Sequence, residues 1–228
     1  RVLMEAGHSV RSLGRSQNNR LAVMGVEQIQ GSVTDDAACL EALEGVSQVY
    51  HLAGSVARER DQSGVLYDVH VTGTRTILSA CLAKDISQVV VLSSSGTIGV
   101  GTTENFMATE DSPVPWDLIG RWPYYESKAL AEREIYHFLG KGLPVRFARP
   151  TLLLGPGDHN ASSTGDVAKF LSGDVKAALP GGLSFVDVRD VAAALPNLMS
   201  DGTPGVGYLM GAVNYTVRDF LIGLEQVS

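Results

Sequence analysis

Short apolar runs alternate along the chain with longer stretches in which apolar residues recur every three or four positions. The runs have the length of strands, and the stretches have the period of one helix face. Predicted strands cover 9–13, 26–33, 46–52, 88–92 and 144–148, and predicted helices cover 35–43, 65–82, 124–139 and 189–199. Because strands that alternate with helices form parallel βαβ units, the pattern predicts an α/β fold with a doubly wound parallel sheet.

Local signals refine these boundaries. Residues 1–7 have the pattern of a helix end that Gly7 closes. Thr34 is a good N-cap residue and predicts that a helix begins directly after it. The sequence becomes richer in Gly and Pro from residue 155 onward. We therefore divide the chain into a core, 1–153, and a smaller lobe, 154–228, that is interleaved with the end of the core.

The charge balance argues against several classes of protein. The net charge is −7 and no run is rich in Lys or Arg, which disfavours nucleic acid or an anionic membrane as the partner. No apolar run approaches the roughly 20 residues that span a bilayer, and no signal peptide is visible. Cys39 and Cys81 do not make a disulfide framework, and no metal site is predicted. The expected location is the cytoplasm.

The sharpest chemical feature is Tyr124-Tyr125-Glu126-Ser127-Lys128, within the predicted helix 124–139. Residues four apart share a helix face, so the phenol of Tyr124 and the ammonium of Lys128 should project together. A neighbouring cation lowers the pKa of a phenol from its ordinary value near 10. A tyrosine tuned in this way can protonate an alkoxide or deprotonate an alcohol.

Three serines, Ser93, Ser94 and Ser95, directly follow the predicted strand of sequence QVVVL. In open α/β sheets, ligands bind outside the carboxyl ends of the strands. A serine hydroxyl at this position could hydrogen-bond the oxygen of a substrate and orient it toward Tyr124. The alternative is that these serines only satisfy backbone groups of a turn.

Five motifs follow one another along the chain: VYHLAG at 49–54, the serine triplet, Tyr124-xxx-Lys128, Arg149-Pro150-Thr151 and SFVDVRDV at 184–191. In type and order they resemble those of extended short-chain dehydrogenases/reductases in the NAD-dependent epimerase/dehydratase superfamily. The resemblance is closest to the dihydroflavonol reductase-like and 3β-hydroxysteroid dehydrogenase-like branch. It implies a Rossmann-type sheet with a substrate-side lobe, and catalysis by Ser94, Tyr124 and Lys128, with Ser95 as the fallback for Ser94.

The resemblance also implies a dinucleotide cofactor bound by residues 1–153. After the strand 9–13 the chain has Arg15 and no acid. An Arg there suits the 2′-phosphate of NADP, whereas an acid suits NAD, so NADP(H) is predicted and NAD is left open. The implied contacts are Arg15, Val33 beside the adenine, Ala53 and Gly54 under the cofactor, Pro150 at the nicotinamide, and Tyr124 and Lys128 at its ribose.

Several positions depart from the family pattern. No Gly-rich, phosphate-binding turn precedes residues 1–7, and the family continues past Ser228, so we interpret the chain as incomplete at both ends. His70 stands where the related pattern Asn-Val-x-Gly-Thr has Asn, and Ser32 replaces a usual Asp. A structural role is the preferred interpretation of His70, with a hydrogen-bonding role left open.

The predicted activity is hydride transfer between NADP(H) and the carbonyl or alcohol of a small apolar or aromatic molecule, which is the predicted partner. Two alternatives stay open: a nucleotide-sugar epimerase or dehydratase, and a cofactor-binding protein without catalysis. Ser94 is not followed by the Asp-Glu pair of the dehydratases, and Leu152 stands where nucleotide-sugar enzymes commonly have Asn. The apolar run 152–154 favours an apolar carbonyl compound. A homodimer is left open.

A dense charge cluster, Asp187, Arg189 and Asp190, lies at a predicted strand–helix junction. Carboxylates at a helix start accept from free N–H groups and stabilise the helix dipole. An Arg between two carboxylates would tie the lobe to the main sheet. We therefore predict a structural role for this cluster rather than a substrate site.

Overall fold

The computed structural model describes residues 1–56, 63–104, 106–159, 161–175, 177–178 and 180–227. The elements up to the central strand are α1 (Val2–Glu5), β1 (Arg11–Gly14), α2 (Asn19–Val23), β2 (Glu27–Gln30), α3 (Asp36–Ala42), β3 (Gln48–His51), α4 (Ser63–Tyr67), α5 (Gly73–Ala83) and β4 (Gln88–Leu92). A π turn (Asp68–Thr72) joins α4 to α5, and a 3₁₀ turn (Ser95–Thr97) follows β4.

The remaining elements are α6 (Trp116–Ile119), α7 (Pro123–Leu139), β5 (Val145–Pro150), β6 (Leu152–Leu154), α8 (Thr164–Leu171), β7 (Gly182–Asp187), α9 (Val188–Asp201), β8 (Gly207–Met210), β9 (Val213–Thr216) and α10 (Val217–Val227). Strands β3, β4, β5 and β8 form a central sheet in that order, with every neighbouring pair parallel. Strands β1 and β2 form a separate parallel pair, and β6, β7 and β9 form a third sheet in which only β7 and β9 are antiparallel.

Helices cover both faces of the central sheet. Successive side chains of a strand face opposite sides, and β4 shows this clearly. Val89 and Val91 lie in a core with residues of α5 and α7, whereas Val90 lies in a second core with residues of α9. The run QVVVL is therefore buried on both faces, and the predicted α/β fold with a doubly wound, Rossmann-type parallel sheet is confirmed.

The start of α3 differs from the sequence-based prediction. Asp35, rather than Thr34, is its N-cap, and the Asp35 carboxylate accepts from the N–H groups of Ala37 at 2.9 Å and Ala38 at 3.2 Å. The Thr34 hydroxyl is hydrogen-bonded to Ser32 at 2.8 Å instead. Because the Thr34 hydroxyl is bonded to Ser32, the N-cap of α3 is the next residue, Asp35.

The segment after β5 contains most of the elements that the apolar pattern did not predict, among them β6, β8, β9, α8 and α10, whereas β7 is the strand expected before the charge cluster. Strand β8 returns to the central sheet beside β5, where Arg149 is paired with Leu209. The predicted boundary between 153 and 154 falls inside β6, and the division into two lobes stays a prediction.

Both thiols lie in the protein interior. Cys39 and Cys81 are free and buried, and burial raises the pKa of Cys39 to about 11 and that of Cys81 to about 12. Within the described ranges, no helix is both long enough and apolar enough to cross a membrane. Nor does that part of the chain contain a group of three His, Cys, Asp or Glu placed to hold a metal ion.

Candidate active site

Helix α7 brings Tyr124 and Lys128 to the carboxyl edge of the central sheet. Pro123 occupies its first turn, where the missing N–H costs nothing. One turn later Lys128 is buried, with 7% of its surface exposed, and its Nζ donates to the carbonyl of Leu92 at 3.0 Å. Because Leu92 is the last residue of β4, this bond holds the ammonium at the end of the central strand.

Ser94 is the serine that meets Tyr124. It follows β4 in an extended conformation, and its Oγ accepts from the N–H of Gly96 at 3.2 Å. The same hydroxyl acts on the Tyr124 phenol, where it opposes the larger effect of burial, which raises the pKa of that phenol. Ser93 instead donates to Glu132 at 2.5 Å. Ser94 therefore both satisfies a backbone N–H of the turn and acts on Tyr124. Ser95 lies in the following 3₁₀ turn.

The sequence-based expectation for the pKa of Tyr124 was wrong. Burial raises this pKa, with a smaller contribution from the neighbouring Tyr125, and the hydrogen bond from Ser94 only opposes the rise. Lys128 does not lower it, because its Nζ is directed to the Leu92 carbonyl and burial lowers the pKa of Lys128 itself to about 8, against the carboxylate of Glu132. The phenol is therefore protonated at neutral pH, which is the form that can donate a proton.

The loop after β3 reaches the same edge of the sheet. A Cβ atom built on Gly54 would lie 3.5 Å from Nζ of Lys128 and 3.6 Å from Nε2 of His70. The backbone of Gly54 is thus flanked by two buried side chains, while Gly54 itself is exposed and Ala53 is half-buried. An exposed backbone between these side chains is a surface that a ligand can approach closely.

Two buried histidines lie beside Lys128. His51, at the end of β3, is hydrogen-bonded through Nε2 to the Thr74 hydroxyl at 3.1 Å. His70 lies in the π turn and is 1% exposed. Burial lowers the pKa of each imidazole to about 3, and the charge of Lys128 contributes to both shifts. Both rings are therefore neutral at physiological pH.

The residues predicted to contact the adenosine half of the cofactor lie at the ends of β1 and β2. Arg15 directly follows β1 and lines a cavity of about 260 Å³ together with Gly14, Ser16 and Gln30. Val33 packs its side chain against α5, since a Cβ on Gly73 would lie 2.7 Å from Cγ2 of Val33. Pro150, which is predicted to lie at the nicotinamide instead, is the buried last residue of β5.

Sequence reasoning missed a buried ion pair beneath the site. The guanidinium of Arg149 donates to both carboxylate oxygens of Glu132, from Nε at 3.0 Å and from Nη2 at 2.7 Å. The hydroxyls of Ser93 and Thr97 donate to the same carboxylate, Thr97 at 3.0 Å. A signal was present: Glu132 lies four residues after Lys128, so it continues the helix stripe that begins at Tyr124.

The charge cluster at the start of α9 is only partly as predicted. Asp187 is the N-cap and accepts from the N–H of Arg189 at 2.7 Å, and its hydrogen bonds with Arg189 lower the pKa of Asp187 to about 2. The guanidinium of Arg189 turns back onto Asp187 at 2.6 Å, and 73% of the Arg189 side chain is exposed. Arg189 therefore does not tie the lobe to the main sheet, because its partner is the cap of its own helix.

Known proteins resemble this chain in sequence and in fold. The chain is 30% identical to sterol demethylase protein B of Methylococcus capsulatus, across 100% of this chain and 70% of that protein. It is 34% identical to 2-alkyl-3-oxoalkanoate reductase of Stenotrophomonas maltophilia, across 70% of this chain and 48% of that protein. The crystal structure of gox2253 superimposes with a TM-score of 0.89 at 28% identity, and the match covers 99% of this chain and 69% of that one.

The profile of the NAD dependent epimerase/dehydratase family matches residues 1–211, which is most of the chain. This match includes the predicted site residues from Arg15 to Pro150. The family, the relatives and the parallel sheet agree with the resemblance seen in the sequence. The chain therefore belongs to the NAD dependent epimerase/dehydratase family and is an NAD(P)-dependent enzyme of the oxidoreductase type.

Proposed function

We propose that the chain reduces the carbonyl group of a small apolar or aromatic molecule with NADP(H), and oxidises the corresponding alcohol in reverse. The observation that carries the proposal is the position of Ser94 and Lys128 at the end of β4. Ser94 lies two residues after Leu92, the last residue of that strand, and Nζ of Lys128 donates to the Leu92 carbonyl at 3.0 Å. Tyr124 lies one helical turn before Lys128, and the Ser94 hydroxyl acts on the pKa of its phenol. Two hydroxyls arranged in this way can share one substrate oxygen.

The residues present fit a dinucleotide cofactor. Gly54 leaves its backbone exposed between Lys128 and His70, and Arg15 lines a cavity at the end of β1. The guanidinium of Arg15 can form charge-assisted hydrogen bonds with a 2′-phosphate. Lys128 would donate to the ribose hydroxyls of the cofactor, and Arg15 would select NADP over NAD. Val33, Ala53 and Pro150 would complete the contacts on the same side of the sheet.

The bound cofactor supplies the hydride. Ser94 holds the substrate oxygen, and Tyr124 donates its phenolic proton to that oxygen as negative charge develops on it. The raised pKa of Tyr124 favours reduction, because the phenol starts in the protonated form. The Ser94 hydroxyl, which opposes the rise in the pKa of Tyr124, then stabilises the phenolate left behind by hydrogen bonding. In the reverse direction, that phenolate takes the proton from the alcohol.

Aromatic side chains favour an apolar substrate. The ring of Tyr125 lies 5.5 Å from the ring of Tyr124 and 5.5 Å from that of Trp122, between centroids. Tyr125 also covers Gly96, where a Cβ would fall 2.0 Å from its Cε1. Half of Trp122 is exposed beside this cluster. A sterol and an alkyl-oxoalkanoate, the compounds in the names of the two relatives, are also largely apolar.

The proposal is tested with purified protein and NADPH deuterated at the transferable position. A panel of alkyl and aryl ketones serves as substrates, and UDP-glucose serves as the probe of the epimerase alternative. We expect stoichiometric oxidation of NADPH and deuterium on the carbinol carbon of the product. Epimerisation begins with oxidation of the sugar, so UDP-glucose is supplied together with NAD⁺ or NADP⁺. Epimerisation without net reduction of that cofactor would support the alternative. Tight binding of NADPH with no turnover across the panel would favour a cofactor-binding protein.

A further inference from the structure

His70 is held by hydrogen bonds on both sides of its ring. It lies in the π turn Asp68–Thr72, which inserts an extra residue between α4 and α5. Such insertions are frequent at functional sites because they re-aim one side chain. Nε2 of His70 accepts from the N–H of Ser55 at 3.0 Å, and Nδ1 lies 2.8 Å from the hydroxyl of Ser127. The two ring nitrogens therefore connect two different elements, the loop after β3 and helix α7.

These contacts determine where the imidazole proton lies. The N–H of Ser55 can only donate, so Nε2 must carry a lone pair. In a neutral ring the proton is then on Nδ1, which donates to Oγ of Ser127. The Ser127 hydroxyl in turn donates to the backbone carbonyl of Tyr124 at 2.9 Å. The hydrogen bonds therefore run in one direction, from the loop at Ser55 to the backbone of the proposed proton donor.

The imidazole of His70 also packs directly against Tyr124 and Gly54. Its ring meets the Tyr124 ring edge to face, with centroids 5.5 Å apart and an interplanar angle of 83°. On the other side, Nε2 is one of the two side-chain atoms that flank Gly54, the second being Nζ of Lys128. His70 thus touches the proposed cofactor loop and the first turn of α7 at once.

We propose that His70 is a positioning residue that sets two parts of the active site independently. Through Nε2 it fixes the loop Ala53–Ser55, against which the cofactor would lie. Through Nδ1 and Ser127 it fixes the backbone of Tyr124, and therefore the direction of the phenol. The assignment rests on the proposed function, and its two halves are separable because each ring nitrogen serves a different element.

Two substitutions separate the halves. The amide of Asn can occupy the position of Nδ1, so His70→Asn keeps a donor for Ser127 and loses the acceptor for Ser55. The amide of Gln reaches the position of Nε2, so His70→Gln keeps the acceptor for Ser55 and loses the donor for Ser127. The Kd for NADPH, measured by fluorescence without substrate, reports on the loop. The value of kcat at saturating NADPH reports on Tyr124.

We expect His70→Asn to weaken NADPH binding by about tenfold with little change in kcat, which is the size of one lost hydrogen bond. We expect His70→Gln to lower kcat by about tenfold with little change in Kd. His137→Gln, at an exposed position of α7, is the matched control and should change neither value. Equal losses of both parameters in the two His70 variants would show that His70 only fills space, and would overturn the proposal.

A second measurement uses the unsubstituted protein and needs no turnover. Long-range ¹H–¹⁵N correlation of the histidine rings should show His70 neutral at pH 7 with its proton on Nδ1. A proton on Nε2 would break the hydrogen bond from Ser55 and would contradict the proposal even in a fully active enzyme. If the protein neither bound nor oxidised NADPH, the proposed function would fail while the tautomer still tested the hydrogen-bond chain.

Discussion

Arg149 and Glu132 form a two-point ion pair in the interior, with Nε–Oε1 and Nη2–Oε2 distances of 3.0 and 2.7 Å. Their side chains are only 6% and 4% exposed. The pair joins β5 to α7 on the helix stripe that also carries Tyr124 and Lys128. It therefore links the stability of the fold to the placement of the proposed site.

Glu132→Gln should destabilise the protein by about 3 kcal/mol or more, because Arg149 would be left as a buried charge without a counterion. The matched control is Glu134→Gln, whose partner Arg75 is 57% exposed. That pair is on the surface, so its loss should cost about 0.5 kcal/mol or less. Urea unfolding of the three proteins gives the comparison. Equal stabilities for the two variants would mean that the buried pair contributes no more than a surface one.

The sequence was sufficient where local pattern and tertiary packing agree. The run at 88–92 was predicted with its observed bounds, because its β-branched residues suit a strand buried on both faces. The helix bearing Tyr124 began only one residue earlier than predicted, at Pro123. The approach of α7 to the end of β4, shown by the bond from Lys128 to the Leu92 carbonyl, follows from the same reasoning, since strand ends and the following helix meet at one edge.

The sequence was insufficient where long-range contacts decide the outcome. The π turn at His70 does not disturb the apolar pattern of residues 65–82, so periodicity gave one continuous helix. The pKa of Tyr124 was misjudged because helix spacing says that Lys128 is near, but not that Nζ bonds the Leu92 carbonyl. Strand β9 depends on pairing with β7 residues about 30 positions away, which no local pattern encodes.

Arg15→Ala tests the choice of cofactor. Only NADPH offers a phosphate to the guanidinium, so the variant should bind NADPH about tenfold more weakly while its affinity for NADH changes little. Arg75→Ala removes an exposed arginine from α5, where Arg75 pairs with Glu134, and is the control. Fluorescence titration with each cofactor gives the Kd values. An equal loss for NADPH and NADH would assign Arg15 a role other than recognition of the 2′-phosphate.

His51 should make stability depend on pH in the acid range. Burial keeps its folded-state pKa at about 3, whereas an unfolded imidazole titrates near 6.5. Between these values the unfolded state binds the extra proton, so the free energy of unfolding falls as pH decreases through this window. His51→Gln should reduce that slope by up to about 1.4 kcal/mol per pH unit. The measurement is denaturant unfolding of the wild type and of His51→Gln from pH 4 to 7. If the free energy of unfolding depends on pH with the same slope in both proteins, the assignment is wrong.

Asp187→Ala should affect folding rather than substrate binding. The Asp187 carboxylate caps α9 by accepting from the N–H of Arg189. Loss of one N-cap should lower Tm by roughly 2–4 °C in a domain of this size. Asp190→Ala, in the first turn of the same helix, is the control and should change Tm less. If Asp187→Ala had a normal Tm but a raised KM for the ketone, Asp187 would instead be assigned to the substrate site.

The most direct test of the central claim compares two neighbouring phenols. Tyr124→Phe removes the proposed proton donor and keeps the ring, whereas Tyr125→Phe removes a hydroxyl one residue away. The measurement is the rate of NADPH oxidation in a single turnover with a ketone substrate and saturating cofactor. We expect Tyr124→Phe to lower this rate by about 10²-fold or more, as for loss of a general acid, with Tyr125→Phe within about threefold of wild type. A near-normal rate in Tyr124→Phe would contradict the account.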